Sequence, residues 1–267
     1  MASLLVRPNA PDEQGTIINV TPASAGWKYI GFRVHQLTQG AWIEASTSDQ
    51  EVCLVILTGR ANVICGEQRF EDIGERMDIF EQIPPHAVYL PNEMSYSIEA
   101  TTDLEFAVCA APGHSNYSPR HIAPGDIKQS TRGQGSNIRH VHDILPENEP
   151  ADSLLVVEVF TPAGNWSSYP PHKHDVDNLP HESLLEETYY HRIDPPQGFA
   201  FQRVYTDDRS LDESMAVENG SCVLVPKGYH PVGASHGYSL YYLNVMAGPK
   251  RAWKFHNDPD HEWLTRM

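Results

Sequence analysis

Cysteine is scarce in this chain. Four occur in 267 residues, Cys53, Cys65, Cys109 and Cys222, and no two form a CxxC pair. That spacing excludes a CxxC metal or redox motif, and three of the four lie in hydrophobic runs, where free thiols are ordinarily buried and reduced. Positive charge is also scarce, with 19 Lys and Arg against 35 Asp and Glu, a net charge of −16. Nucleic acid and anionic membrane both demand a basic footprint, so neither is an expected partner. An anionic small molecule would need a local positive pocket to overcome this field. No apolar run approaches the roughly 18–20 residues of a spanning helix, and the opening MASLLVRPNAPDEQG holds too short an apolar stretch for a signal peptide. The expected location is the cytoplasm. Few stretches keep a helical apolar period over ten residues, so helices are not the framework.

What the chain has instead is short strands and turns. Its 21 prolines and 18 glycines are spread throughout. Strand-like segments fall at 28–38, 51–58, 60–65, 86–90 and 104–110, and again at 153–160, 187–193, 199–206, 221–225 and 239–246. Turn signals such as Thr58-Gly59, Glu218-Asn219-Gly220 and Lys227-Gly228 stand between them. Such punctuation predicts an all-β chain of sandwich or jelly-roll type. Between 111 and 137 the composition turns to Gly, Pro, Ser and Asn, which predicts a barrel over 1–112, a linker or crossover over 113–137, and a second barrel over 138–267. The halves echo each other. Glu51 opens EVCLVILTGRANV as Glu187 opens ETYYHRIDPPQGFAF, and the proline of VYLPNEMS parallels that of CVLVPKGYH, with Ser95 where His230 stands. The first barrel is thus expected to lack the metal site of the second.

The chemistry concentrates in Pro170-Pro171-His172-Lys173-His174 and Pro226-Lys227-Gly228-Tyr229-His230. In a strand, residues i and i+2 share a face about 6.6 Å apart, so two imidazoles can close on one ion with bonds of ~2.0–2.1 Å. His172, His174, His230 and a glutamate form a ligand set suited to Zn²⁺, Mn²⁺, Fe²⁺ or Ni²⁺. Glu186 and Glu187 are adjacent, so only one can face the interior, and alternation alone does not choose. His191 shares a face with Glu187 and is the candidate to support the ligands from behind. His114, His121, His140, His142, His256 and His261 sit in polar surroundings and are expected at the surface, and His181 lies in the loop between His174 and Glu187.

PPHKHD (170–175), PHESLLEETYYHRI (180–193), VLVPKGYHPV (223–232), YYLNVMAGP (241–249) and DPDHEW (258–263) together carry a resemblance. The chain resembles the cupins, and more closely the bicupin 5-deoxy-glucuronate isomerases of myo-inositol degradation, relatives of the 4-deoxy-5-ketouronate isomerases. The resemblance implies two jelly-roll barrels in tandem, a homo-oligomer, and a divalent metal, typically zinc, in the second barrel. Carried onto this chain, the ligands are His172, His174, Glu187 and His230. Twelve residues separate His174 from Glu187, where cupins usually have four or five, and that longer loop looks typical of this branch.

The implied reaction is an aldose–ketose isomerisation of a small anionic sugar acid, 5-deoxy-D-glucuronate to 5-dehydro-2-deoxy-D-gluconate. An ion would stabilise charge developing on the carbonyl oxygen. Candidates for moving the proton are a hydroxide on the ion, Tyr189, His191 and Tyr242. Arg203 is the first candidate for the substrate carboxylate, with Arg139, Arg192 and Lys250 behind it. Two other functions fit the ligands: an iron-dependent cupin dioxygenase, which substrate-dependent oxygen uptake would reveal, and a non-catalytic sugar-binding bicupin, which would hold no metal.

Overall fold

The structure, a computed structural model, describes residues 3–115 and 117–266. They fall into two compact bodies. One comprises the described residues of 8–128 with 142–156, the other 3–7 with 129–141 and 157–266. These boundaries differ from a clean cut at 112 and 138. The segment 113–137 is not a plain linker, because it contains strands β11 (Arg120–Ile122) and β12 (Lys128–Arg132) and two single turns of 3-10 helix. Its Gly, Pro and Ser content marks the turns and hides the strands between them.

In the first body, a sheet runs in the order β11, β8 (Ala87–Leu90), β5 (Gln50–Thr58), β10 (Leu104–Pro112), β3 (Gly31–Leu37) and β2 (Thr16–Val20). A second sheet runs β4 (Trp42–Ser46), β9 (Ser95–Ala100), β6 (Ala61–Cys65) and β7 (Gln68–Ile73). Strands β5 and β10 are buried along almost their whole length, which is why both read as unbroken apolar runs. Strand β4 alternates exposed and half-buried residues, and β7 is mostly exposed. Strands with one wet face carry too few apolar residues to stand out, and β4, β7 and β9 were not anticipated from the sequence.

The body's interior is filled by Val52, Leu54, Ile56, Val63, Leu90, Ile98, Phe106 and Val108. This revises the parallel between the halves by one residue. Val52 pairs with Leu90, just before Pro91, as Glu187 pairs with Val225, just before Pro226. Val52, Leu54 and Ile56 therefore occupy the places of Glu187, Tyr189 and His191. Glu51 sits one residue earlier and points to the opposite face, as a slip of one residue in a strand requires. There its fully buried carboxylate accepts N–H bonds from Asp152 (2.7 Å), Ser153 (2.6 Å) and Leu154 (2.6 Å), and the Tyr89 hydroxyl at 2.7 Å. The acid resembling a ligand in sequence is a clasp that ties residues 152–154 to β5.

In the second body, one sheet runs β1 (Leu5–Val6), β22 (Cys222–Val225), β19 (Glu186–Asp194), β24 (Ser239–Ala247), β14 (Leu155–Thr161), β13 (Arg139–Leu145) and β12. Leu5 pairs with Val223, so the first residues of the chain are grouped here. The other sheet runs β15 (Trp166–Ser167), β23 (Val232–Ala234), β20 (Phe199–Tyr205) and β21 (Asp212–Glu218). Strand β20 alternates strictly until its end: Phe199, Phe201 and Arg203 outward, Ala200, Gln202 and Val204 inward. Two short hairpins complete the body, β16 (His172–Lys173) with β25 (His256–Asn257), and β17 (Asp175–Asn178) with β18 (Glu182–Leu184).

All four cysteines are buried and free. Cys53 and Cys109 face each other across β5 and β10, and burial pushes both thiols up.

Replacing Glu51 with Ala leaves three amides and a phenol facing a void. The expected cost is about 3–5 kcal/mol. Urea denaturation of Glu51→Ala against the parent chain measures it, and an unchanged midpoint would show that the clasp carries no stability.

Candidate metal centre

Three chain segments converge at one end of the second barrel. Strand β16 and the residue that follows it bring His172 and His174, β19 brings Glu187, and the turn after β22 brings His230. That turn depends on Gly228, whose φ is +91° and where a β-carbon would overlap the Tyr205 carbonyl. The twelve-residue insert between His174 and Glu187 folds into the β17–β18 hairpin and pins the ligand segments together. Asp175 Oδ2 accepts the Gly228 N–H at 2.8 Å. Lys173, buried between the two histidines in sequence, donates to Asp175 (2.7 Å) and Glu182 (3.3 Å).

His174 Nε2 lies 3.0 Å from Glu187 Oε2, and His230 Nε2 lies 3.1 Å from the same oxygen. All three residues are buried and each offers a ligand atom within 4.8 Å of the others. His174 Nδ1 donates to the Leu185 carbonyl at 3.2 Å, and His230 Nδ1 to the Gly228 carbonyl at 2.8 Å. Both Nε2 atoms are thereby left to face the carboxylate, the arrangement in which backbone carbonyls orient metal-binding imidazoles. His230 Nε2 makes no hydrogen bond of acceptable geometry although it is buried. A buried cluster of one carboxylate and two aimed imidazole nitrogens fits a borderline divalent cation.

His172 stands one step outside this group. Its ring is 4.9 Å from that of His230 and 6.4 Å from that of His174, it is held by the Pro170 carbonyl, and Phe255 packs on it at 4.7 Å. Of the two glutamates, Glu187 is buried and inward, while Glu186 is half-exposed. Burial would raise the Glu187 carboxyl, but His230 and His174 outweigh it and hold it at about 2. Burial works against a proton on His174, and Glu187 overcomes that and raises its affinity. Burial, then His230 and His174, press His172 well below the usual histidine value.

A cavity of about 40 Å³ opens on Glu187 and His172. Tyr189 and Tyr242 line it, with ring centroids 4.9 Å apart. Tyr189 shares a hydrogen bond with Ser168 at 2.8 Å, and burial pushes both phenols up. His191 is not in the wall. It lies behind the phenols, stacked on Tyr189 and bonded to Gln202 at 3.0 Å, and burial holds it neutral at about 4. Gln202 also donates to the His230 carbonyl at 3.4 Å. A far larger depression of about 710 Å³ lies on the β4–β9–β6 face of the first body and holds none of these groups.

Arg203 is not brought to the cavity. It stands on the outward face of β20 and makes a two-pronged bond to Asp212, 2.7 Å on each side. Its neighbour Gln202 takes the inward place. Arg192 bonds Asn219 and Lys250 lies exposed near Asp177, whereas Arg139 and Arg132 do line the cavity. His142 is buried, not solvated, and His121 is half-buried against His86 with a 2.8 Å nitrogen–nitrogen contact. Gln202, Ser168, Asn244, Arg132 and Trp253 escaped the sequence reading. Asn244 was within reach, since it follows Tyr242 by two in β24 and must share its face.

The chain is 60% identical over 264 residues to the 5-deoxy-glucuronate isomerase of Geobacillus kaustophilus (strain HTA426), covering 99% of this chain and 96% of that protein. Its structure matches that of an IolB-like protein from Salmonella typhimurium LT2 with a TM-score of 0.96 and 52% identity, over 99% of this chain and 100% of the other. A more distant match, at 14% identity and TM-score 0.66 over 96% of this chain and 80% of the other, is Bacillus subtilis oxalate decarboxylase, a protein described with Mn(II) centres. That likeness establishes the bicupin fold alone. The KduI/IolB family model matches residues 4–264, and the chain belongs to the KduI/IolB family.

Proposed function

We propose that the chain is a metal-dependent 5-deoxy-glucuronate isomerase acting at the cavity beside Glu187. The name borne by relatives at 60% identity over nearly the whole chain supports the reaction. The single structural observation that carries the metal is the buried convergence of His174, Glu187 and His230. His172, on the rim, completes the set, and zinc is the ion the donor types suit best, ahead of Mn, Fe or Ni.

The isomerisation moves one proton from C2 to C1 of the open-chain aldehyde and another from the C2 hydroxyl to the C1 oxygen, with no net oxidation. A divalent ion bound here would supply Lewis-acid stabilisation of the oxygen on which charge develops. The neutral phenols of Tyr189 and Tyr242 stand beside that position and donate hydrogen bonds to the substrate oxygens. Ser168 fixes the Tyr189 hydroxyl. His191 acts through the phenols it packs against, held by Gln202, and is a positioning residue.

The same reading places the reaction in myo-inositol degradation in the cytoplasm and makes the protein a homo-oligomer. Exposed Trp166, Phe199 and Phe201 on the β15–β23–β20–β21 sheet support the last point.

His174→Ala is expected to lose both stoichiometric metal, measured by elemental analysis, and turnover of 5-deoxy-glucuronate. Full turnover without metal would overturn the proposal, and substrate-dependent oxygen uptake would turn it toward a dioxygenase. Tyr242→Phe is expected to keep the metal and lower kcat by roughly 10²-fold or more, the scale of losing one transition-state donor. An unchanged kcat would remove Tyr242 from the chemistry.

A further inference from the structure

The chain has 35 acidic residues against 19 basic ones, and several of its guanidinium groups are matched to carboxylates. Arg203 takes Asp212, Arg60 takes Asp72 and Arg69 takes Glu71. Arg139 does not. It is half-buried, lines the cavity beside Glu187, and forms no ion pair among the described residues. Its hydrogen bond there is from Nη1 to the backbone carbonyl of Asn137 at 3.1 Å. A guanidinium has five N–H donors, and leaving a partly buried cation without an anion is costly.

The chain is shaped around this cation. Gly133 has φ +79°, and a β-carbon there would overlap the Asn137 carbonyl and stand 2.8 Å from Arg139 Nη1. Asn137 is tied in turn by its side chain, which donates to the Tyr169 carbonyl at 2.9 Å. The loop 133–137 therefore closes onto the guanidinium and holds it by one edge. Arg132 lines the same cavity, its guanidinium 5.8 Å from the centre of the Trp253 ring, and adds a second positive charge.

We propose that Arg139, supported by the charge of Arg132, receives the carboxylate of the acid substrate and sets the enzyme's preference for acids over neutral sugars. Arg203 cannot serve, because Asp212 already neutralises it. The arrangement places Arg139 on the same cavity as Glu187 and His172, so a sugar acid carrying its carbonyl and its carboxylate on different carbons is gripped at two points. Such a grip aligns the reacting carbons with Tyr189 and Tyr242 and favours bidentate guanidinium–carboxylate geometry. The inference rests on the isomerase reading for its substrate, but not for its binding test.

The test uses the metal-loaded full chain. Calorimetry compares D-glucuronate with its neutral amide, D-glucuronamide, on the parent chain, Arg139→Gln and Arg139→Lys, and steady-state kinetics on 5-deoxy-glucuronate follows. The parent is expected to bind the acid about 10- to 100-fold more tightly than the amide, the range of a charge-assisted bond. Arg139→Gln is expected to lose that preference with metal content unchanged, and to raise KM far more than it lowers kcat. Arg139→Lys, which keeps the charge but not the fork, is expected to fall between and covers the case of a Gln variant that does not fold. Retention of the acid preference in Arg139→Gln, or no preference in the parent, would overturn the proposal. A parent that prefers the acid yet does not isomerise 5-deoxy-glucuronate would contradict the reaction and leave the anion seat standing.

Discussion

The second barrel is organised by one electrostatic constraint: a carboxylate and two imidazole nitrogens aimed at each other in a buried interior. Glu187, His174 and His230 are all nearly or wholly buried. Each imidazole gives its other nitrogen to a backbone carbonyl, so neither can turn away without breaking a buried hydrogen bond. Such a cluster is stable with a cation or a shared proton at its centre, and costly without either. The hairpin inserted after His174 belongs to the same constraint. Its Asp175 and Glu182 hold Lys173 and the Gly228 amide, so the two histidine-bearing segments cannot drift apart.

The two bodies show how little separates a binding barrel from a packed one. Both use the same pairing around a proline, and the inward positions of β5 and β19 correspond two by two. Where the second barrel has Glu187, Tyr189 and His191, the first has Val52, Leu54 and Ile56, and the space closes into a hydrophobic core. The acid next door, Glu51, points to the other face, where it satisfies three backbone amides. Strand alternation puts residues one apart on opposite faces, so Glu51 is a clasp while Glu187 points inward.

This alternation also explains what could be read from the sequence. The convergence of His174 and His230 was legible because i, i+2 spacing and a Pro-Gly turn are local signals, while His172 stands one step outside the cluster. The long strands were legible because both faces are apolar. Glu187 over Glu186, and Gln202 over Arg203, hinge on which face of a strand looks inward, and local pattern does not determine that when both neighbours are polar. Arg139 reaches the cavity only through sheet order, since β13 lies two strands from β24 with β14 between. The outer strands β4, β7 and β21 are too polar to announce themselves.

Around the ligand cluster the remaining polar groups arrange by function. Two phenols stand beside it, a neutral histidine and a glutamine brace them from behind, and a guanidinium without a carboxylate waits at the cavity wall. The most direct measurement is anomalous diffraction at the absorption edge of whichever metal accompanies the purified protein. The account predicts one anomalous peak per chain, about 2.0–2.2 Å from His174 Nε2, a Glu187 carboxylate oxygen and His230 Nε2, and none inside the first barrel. A peak elsewhere, or metal-free crystals of fully active protein, would contradict it.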